Sequence, residues 1–161
     1  MSQEQQLSED EIKKRIEMMK ENCIFCKIIR GEIPSKKIHE DEHFIAFLDI
    51  NPLTKGHTIL IPKEHYMIIS LVPDEVLGQA QVLAKQVAQL LQESLGSDDV
   101  SIIIPNGQAA GQQVQHFAIH LIPRYKDDGV ELNLEGAKRD EEELKVVQEA
   151  FKLQLEGKNN H

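Results

Sequence analysis

The stretch between Pro73 and Gly96 constrains the fold more than any other part of the chain. Val76, Leu77, Ala80, Leu83, Ala84, Val87, Leu90 and Leu91 recur at steps of three and four and form one apolar stripe, and Gly96 supplies the stop. A helix so patterned needs an apolar surface to lie against. The rest of the sequence offers short runs of strand character: Lys37–Glu40, Phe44–Asp49 and Thr58–Pro62 before the helix, Ser101–Pro105 and His116–Arg124 after it. Turn residues at Arg30–Pro34, Glu40–Glu42 and Asn51–Gly56 separate them. Strands joined by tight turns, with a single helix between the third and fourth, predict an α+β fold: an antiparallel five-stranded sheet with one long helix packed on it. Doubly wound and P-loop folds are poor fits, because neither a βαβ series nor a glycine-rich nucleotide fingerprint is present.

Two extensions flank this block. In residues 1–22, Ser8 and Glu11 have the spacing of a capping box, and Ile12, Ile16 and Met19 the spacing of an amphipathic helix that docks on the domain or a partner. At the other end, an acidic tail over 127–161 carries Leu144, Val147, Phe151 and Leu155 at helical spacing before fraying into the terminal Gly-Lys-Asn-Asn-His. The organisation expected is therefore an extension over 1–22, a domain over 23–126 and a helical tail over 127–161.

Composition excludes several functions. Against 18 basic residues stand 27 acidic ones, a formal charge of -9, so the surface repels a phosphate backbone and no nucleic-acid partner is expected. Trp is absent and aromatic residues make up 4%, too few for a base-stacking platform. No apolar run approaches the roughly 20 residues of a membrane span, and the first residues lack the pattern of a secretory signal. The expected location is the cytosol, away from membranes. In that reducing compartment the only two cysteines, Cys23 and Cys26, read as metal or redox chemistry rather than a disulfide. Their spacing gives a zinc chelate turn that needs two further N or S ligands, which seven histidines can supply; two buried free thiols are the plainer alternative.

The run His116-Phe117-Ala118-Ile119-His120-Leu121 carries the most specific pattern. Alternation along a strand puts His116, Ala118 and His120 on one side, and Phe117, Ile119 and Leu121 on the core side. Two imidazoles bracketing one small residue leave room for a ligand atom, although a pair of polar residues on a solvated face has the same spacing. The loop that feeds this strand, Asn106 to Gln115, holds Gly107 and Gly111, residues that let backbone N–H groups converge on an anion. An ordinary glycine connection is the simpler alternative there.

The segment GQQVQHFAIHLIPR resembles the signature of the histidine triad family, H-φ-H-φ-H-φ-φ followed by Pro-Arg, and CIFCKIIRGEIPSKKIHEDEHFIAFLDINPLTKGHTILIPKEH is similar to the same family's N-terminal block; together they span residues 23–126. The resemblance implies a nucleotide hydrolase or transferase that cleaves a substituted nucleoside monophosphate, such as an adenosine phosphoramidate, at the α-phosphate through a nucleotidyl-histidine intermediate. His116 and His120 match the first and third histidines. Ala118 stands where the middle, nucleophilic histidine belongs, so the resemblance implies an inactivated chain: a His-to-Ala variant or a binding-only relative. His57 matches a histidine near the active site, and Asp49 the acid that binds the ribose hydroxyls. Ile24, Phe25, Phe47 and Ile50 match the base pocket. Asn106, Gly111, Gln112 and Gln113 match the phosphate loop, Gln113 where many relatives have Ser. Zinc-bearing members imply structural zinc on Cys23, Cys26, His65 and His116. The ligand implied is an AMP-like purine nucleotide and the assembly a homodimer joined at sheet edges. An inert nucleotide-binding adaptor is the alternative, encouraged by the extra N-terminal helix, and the leaving group stays open.

Overall fold

The computed structural model describes residues 8–132 and 134–159 and divides into two units, one ending at Val130 and one beginning at Glu131. In the first unit, helix α1 (Glu9–Asn22) opens on Ser8, whose hydroxyl accepts from the Glu11 amide while the Glu11 carboxylate accepts from the Ser8 N–H. The first seven residues of the helix expected over 1–22 lie outside the described residues. None of α1 is buried. It meets the domain at its C-terminal end, where Lys20 pairs with Glu64 at 2.7 Å and Arg30 reaches the Lys20 carbonyl.

Helix α2 (Ile24–Ile29) follows at once and was not anticipated, since six residues are too few to display a helical period. The Cys23 thiol caps it by accepting from the Cys26 amide, and Phe25, Cys26 and Ile28 turn inward. Strands β1 (Lys37–Glu40), β2 (Phe44–Leu48), β3 (Thr58–Pro62), β4 (Asp99–Ile103) and β5 (Ile119–Arg124) form one antiparallel sheet in the order β1-β2-β3-β5-β4. Helix α3 (Asp74–Leu95) crosses one face, with Gly96 closing it in the left-handed conformation at φ 63°.

Three expected strands need correction. β2 ends at Leu48 and leaves Asp49 outside the ladder, and β4 begins at Asp99 and ends at Ile103. β5 begins at Ile119 rather than His116, because the Phe117 N–H donates to Tyr66 and the His116 N–H to Val114, which takes both donors away from β3. In α3, Ala80, Leu83, Ala84, Val87, Ala88 and Leu91 are buried, whereas Leu90 is 45% exposed. Leu90 lies about 100° around the helix from Leu91, on the rim of the stripe, and Ala88, absent from the expected stripe, is buried on the opposite rim.

The central strands are apolar on both sides, and this positions everything else. Phe44, Ala46, Leu60, Phe117, Ile119 and Leu121 pack under α3, while Ile45, Phe47, Ile59, Ile61 and Ala118 pack against Phe25, Cys26 and Ile28 on the opposite face. The second unit holds α4 (Glu141–Asn159), which carries Leu144, Val147, Phe151 and Leu155 exposed. It continues through Gly157 and Lys158 instead of fraying there; the terminal His161 lies outside the described residues. No helix among the described residues is long and apolar enough to cross a membrane.

Gly56 admits β3 into the sheet. Its φ is +89°, and a Cβ there would collide with Leu95 Cδ1 and lie 3.3 Å from Pro123 Cγ. Gly56→Ala is therefore expected to cost roughly 1–3 kcal/mol, measured as a lower urea midpoint at unchanged m-value; an unaltered midpoint would contradict this packing.

Candidate functional site

On the face away from α3, register aligns Ile59 of β3 with His120 of β5 and Ile103 of β4. His57, just ahead of β3 and 4% exposed, reaches across so that its Nε2 stands 2.9 Å from His120 Nδ1. The Leu53 amide donates to His57 Nδ1 at 3.1 Å, so that nitrogen carries a lone pair. In the neutral rings the rest follows: His57 donates from Nε2 to His120 Nδ1, and His120 carries its own proton on Nε2. Burial holds both histidines below their ordinary pKa, with His57 adding to the effect on His120 and Asp49 opposing it on each. The chain from Leu53 through His57 thus ends in an N–H on His120, a donor suited to an anionic oxygen or a departing group.

Asp49 closes this cluster. Its Oδ1 accepts from the Asn51 amide at 2.8 Å, and its Oδ2 lies 3.7 Å from His57 Nδ1. Between Phe25 and Phe47 the ring centroids are 5.6 Å apart in an edge-on contact, and both rings are buried; Ile24 is 43% and Ile50 84% exposed. Ala118 lies in the same apolar cluster as Phe25 and Phe47 and is 6% exposed. Of the residues assigned to one site, the structure brings Asp49, His57 and His120 together and leaves Ile50 standing in solvent.

The loop from Asn106 to Gln115 holds Gly107 and Gly111 at φ 94° and 88°, around a turn of 3-10 helix at Gln108–Ala110. Gln112 is committed inside the protein. Its Oε1 accepts from the Gly107 amide and its Nε2 donates to the Met67 and Val114 carbonyls, so it braces the loop against the 66–69 segment. Asn106 Oδ1 accepts from the Ile69 amide, which leaves its Nδ2 for a ligand. Cavities flank this loop, one of 650 Å³ against Met67 and Ile68 and one of 410 Å³ against α1. Gln113 lines both.

A second cluster joins Cys23, Cys26, His65 and His116, whose ligand atoms all lie within 4.8 Å of one another. His116 Nδ1 stands 3.6 Å from Cys23 Sγ and 3.7 Å from Cys26 Sγ, and His65 Nδ1 stands 3.3 Å from Cys26 Sγ. His116 donates from Nε2 to the Pro62 carbonyl at 2.9 Å, so its Nδ1 lone pair faces the two thiols. A backbone partner behind a ligating histidine is the arrangement that orients metal ligands. His65 Nε2 is buried and meets no hydrogen-bond partner among the described residues, so nothing competes for that ring. Burial, reinforced by Cys23, pushes the Cys26 thiol up to about 12; a thiolate there needs a cation. The donor set fits tetrahedral zinc.

The Leu53 amide escapes sequence reasoning, because a main-chain donor leaves no side-chain signature. The bracing by Gln112 escapes it too: the residue type marks the loop but not which way the amide turns.

An antiparallel α+β sheet with a glycine-bearing loop, a histidine pair and a Cys/His cluster on one face defines the class. Residues 30–127 match the HIT domain family, to which the chain belongs. An uncharacterised HIT-like protein of Methanocaldococcus jannaschii is 50% identical over 107 residues, covering 66% of this chain and 82% of that protein. The adenosine 5′-monophosphoramidase of Saccharomyces cerevisiae is 38% identical over 136 residues, 84% of each chain. Among solved structures, a Zn-bound histidine triad family protein from Mycobacterium smegmatis superposes with a TM-score of 0.67 at 34% identity, covering 86% of this chain and 98% of that one.

Burial lowers the pKa of His116 to about 4 from an ordinary 6.5. The unfolded chain therefore takes up this proton first as pH falls, and the stability present above pH 6.5 is lost as pH approaches 4. With a metal chelator present, His116 alone is expected to remove up to roughly 3 kcal/mol across that window. His57, His65 and His120 act in the same direction. Urea titrations at stepped pH measure it, and a flat profile contradicts a buried neutral His116.

Proposed function

We propose that this chain binds an AMP-like purine nucleotide and derives from enzymes that cleave substituted nucleoside monophosphates, phosphoramidates in particular, at the α-phosphate. The observation that carries the reading is the Leu53–His57–His120 chain, which presents the His120 Nε2–H on the sheet face that Ala118 shares. Support comes from the phosphoramidase relative. In this reading Asp49 Oδ2 accepts from the ribose, Phe25, Phe47, Ile24 and Ile50 enclose the base, and Ile50 loses its exposure when the ligand arrives. Asn106 Nδ2 and the Gln113 amide hold the phosphate, while the Gly111 and Gln112 amides shape the loop by donating to the Gln108 and Gly107 carbonyls.

The reaction needs a nucleophile at position 118. A histidine there attacks the α-phosphorus, the bond to the leaving amine breaks, and His120 Nε2–H protonates the amine; water then cleaves the phosphorus–nitrogen bond and AMP departs. An alanine methyl forms no such bond, so the chain as it stands binds without turning over, with a loss on the order of 10⁴ to 10⁶ in rate. Cys23, Cys26, His65 and His116 would hold a zinc ion in this reading, and the ion would serve as a structural tether between the histidine segment and the start of α2. A homodimer completes the reading, with the β4 edge, where Ile102 is 46% exposed, as the seam. The second reading, an inert nucleotide-binding adaptor, draws on the same Ala118 and on α1.

AMP release from adenosine 5′-phosphoramidate separates the two. Ala118→His is expected to turn over at least about 10⁴-fold faster than the parent; if both bind AMP and neither releases it from the substrate, the adaptor reading takes over. For the metal, elemental analysis is expected to find about one zinc per chain and most of it lost in Cys26→Ser. Equal zinc in both proteins contradicts the assigned ligands.

A further inference from the structure

The 410 Å³ cavity beside α1 reaches the Cys/His cluster and not the histidine pair. Met18, Met19 and Gln113 line it, and so do Cys23 and His65. Cys26 and His116, the other two members of the cluster, do not. The two thiols are therefore unequal. Their exposures are alike, 8% for Cys23 and 6% for Cys26, but of the two only Cys23 meets the cavity. The Cys26 amide donates to Cys23 Sγ at 3.5 Å, and the two Sγ atoms lie within 4.8 Å of one another. Side-chain rotation within this single turn of chain closes the gap to the roughly 2 Å of an S–S bond. With only two cysteines in the sequence, a disulfide within the chain joins these two.

We propose that Cys23 is an oxidation site for a small hydroperoxide that enters by this cavity, and that Cys26 resolves the product into a disulfide that excludes zinc. No lysine, arginine or carboxylate among the described residues lines the cavity, which suits a small uncharged oxidant. Cys23 Sγ attacks one peroxide oxygen, the O–O bond breaks, and water or an alcohol leaves with the Cys23 proton; the product is a sulfenic acid. Cys26 Sγ then attacks the Cys23 sulfur, the S–S bond forms, the S–O bond breaks, and water leaves with the Cys26 proton. Two thiols lose two electrons and the peroxide gains them. A disulfide offers no thiolate, so His65 and His116 remain as the cluster's two metal donors, too few for a tetrahedral site. The exclusion of zinc rests on the ligands assigned above, whereas the order of attack stands without them.

Hydrogen peroxide is the probe, on the full chain. The parent peptide that holds both cysteines is expected to lose two hydrogens as zinc leaves, and dithiothreitol to reverse both changes. Cys23→Ser and Cys26→Ser each remove one member of the cluster, so the two variants differ in which thiol remains. With dimedone present, Cys26→Ser is expected to trap a sulfenic acid at Cys23, and Cys23→Ser to trap one at Cys26 at least about tenfold more slowly. Peptide mapping separates these products from oxygen gained by Met18 or Met19, and thermal melting confirms that each variant is folded. Equal trapping in the two variants, or no disulfide in the parent, overturns the oxidation site. Zinc retained by the oxidised parent overturns the exclusion of metal. A parent that carries no zinc before peroxide overturns the zinc assignment instead, and trapping at Cys23 still decides the order of attack.

Discussion

His116 is held at both nitrogens, and the functional face depends on that grip. One nitrogen donates to Pro62 at the end of β3, and the other faces the thiols of Cys23 and Cys26 at the start of α2. A ring with no exposed surface and a strong bias to the neutral form cannot be solvated as an alternative. The segment from Gln112 to His120 is therefore anchored in its middle: Gln112 braces the loop ahead, and β5 begins only after Ala118. The same anchor joins α2 to the sheet face on which Phe25, Phe47 and Ala118 gather.

Two-sided burial explains why that face is available at all. Alternate residues of β2, β3 and β5 face α3 on one side and α2 on the other, so neither side of the central strands is left to bulk water. At the end of the apolar row stand His57 and His120, and a single main-chain amide sets which nitrogen of each bears a proton. A side-chain donor in place of the Leu53 amide could rotate or ionise. The backbone donor can do neither, and the His120 N–H keeps its direction as pH changes above the histidine range.

Much of this was legible beforehand. The α3 stripe, the β3 run Thr58–Pro62 and the Ser8–Glu11 cap are local patterns, and local patterns survive folding when the core agrees with them. The Cys23-x-x-Cys26 turn and the glycines at 107 and 111 were legible for the same reason. What escaped depends on partners distant in sequence: α2 exists because Phe25 and Ile28 are buried under the sheet, and β5 starts late because Tyr66 claims the Phe117 amide. Periodicity places Leu90 on the rim of its helix but could not have warned that the Gln112 amide is spent inside the loop.

The central claim is that position 118 is where the phosphorus is accepted and that His120 beside it only gives a proton. Intact-protein mass spectrometry after acid quench tests it directly. Ala118→His mixed with adenosine 5′-phosphoramidate should gain the mass of one adenylyl group, and the parent chain should gain none. An adduct on both proteins, or release of AMP by Ala118→His with no adduct at any time point, would contradict the account.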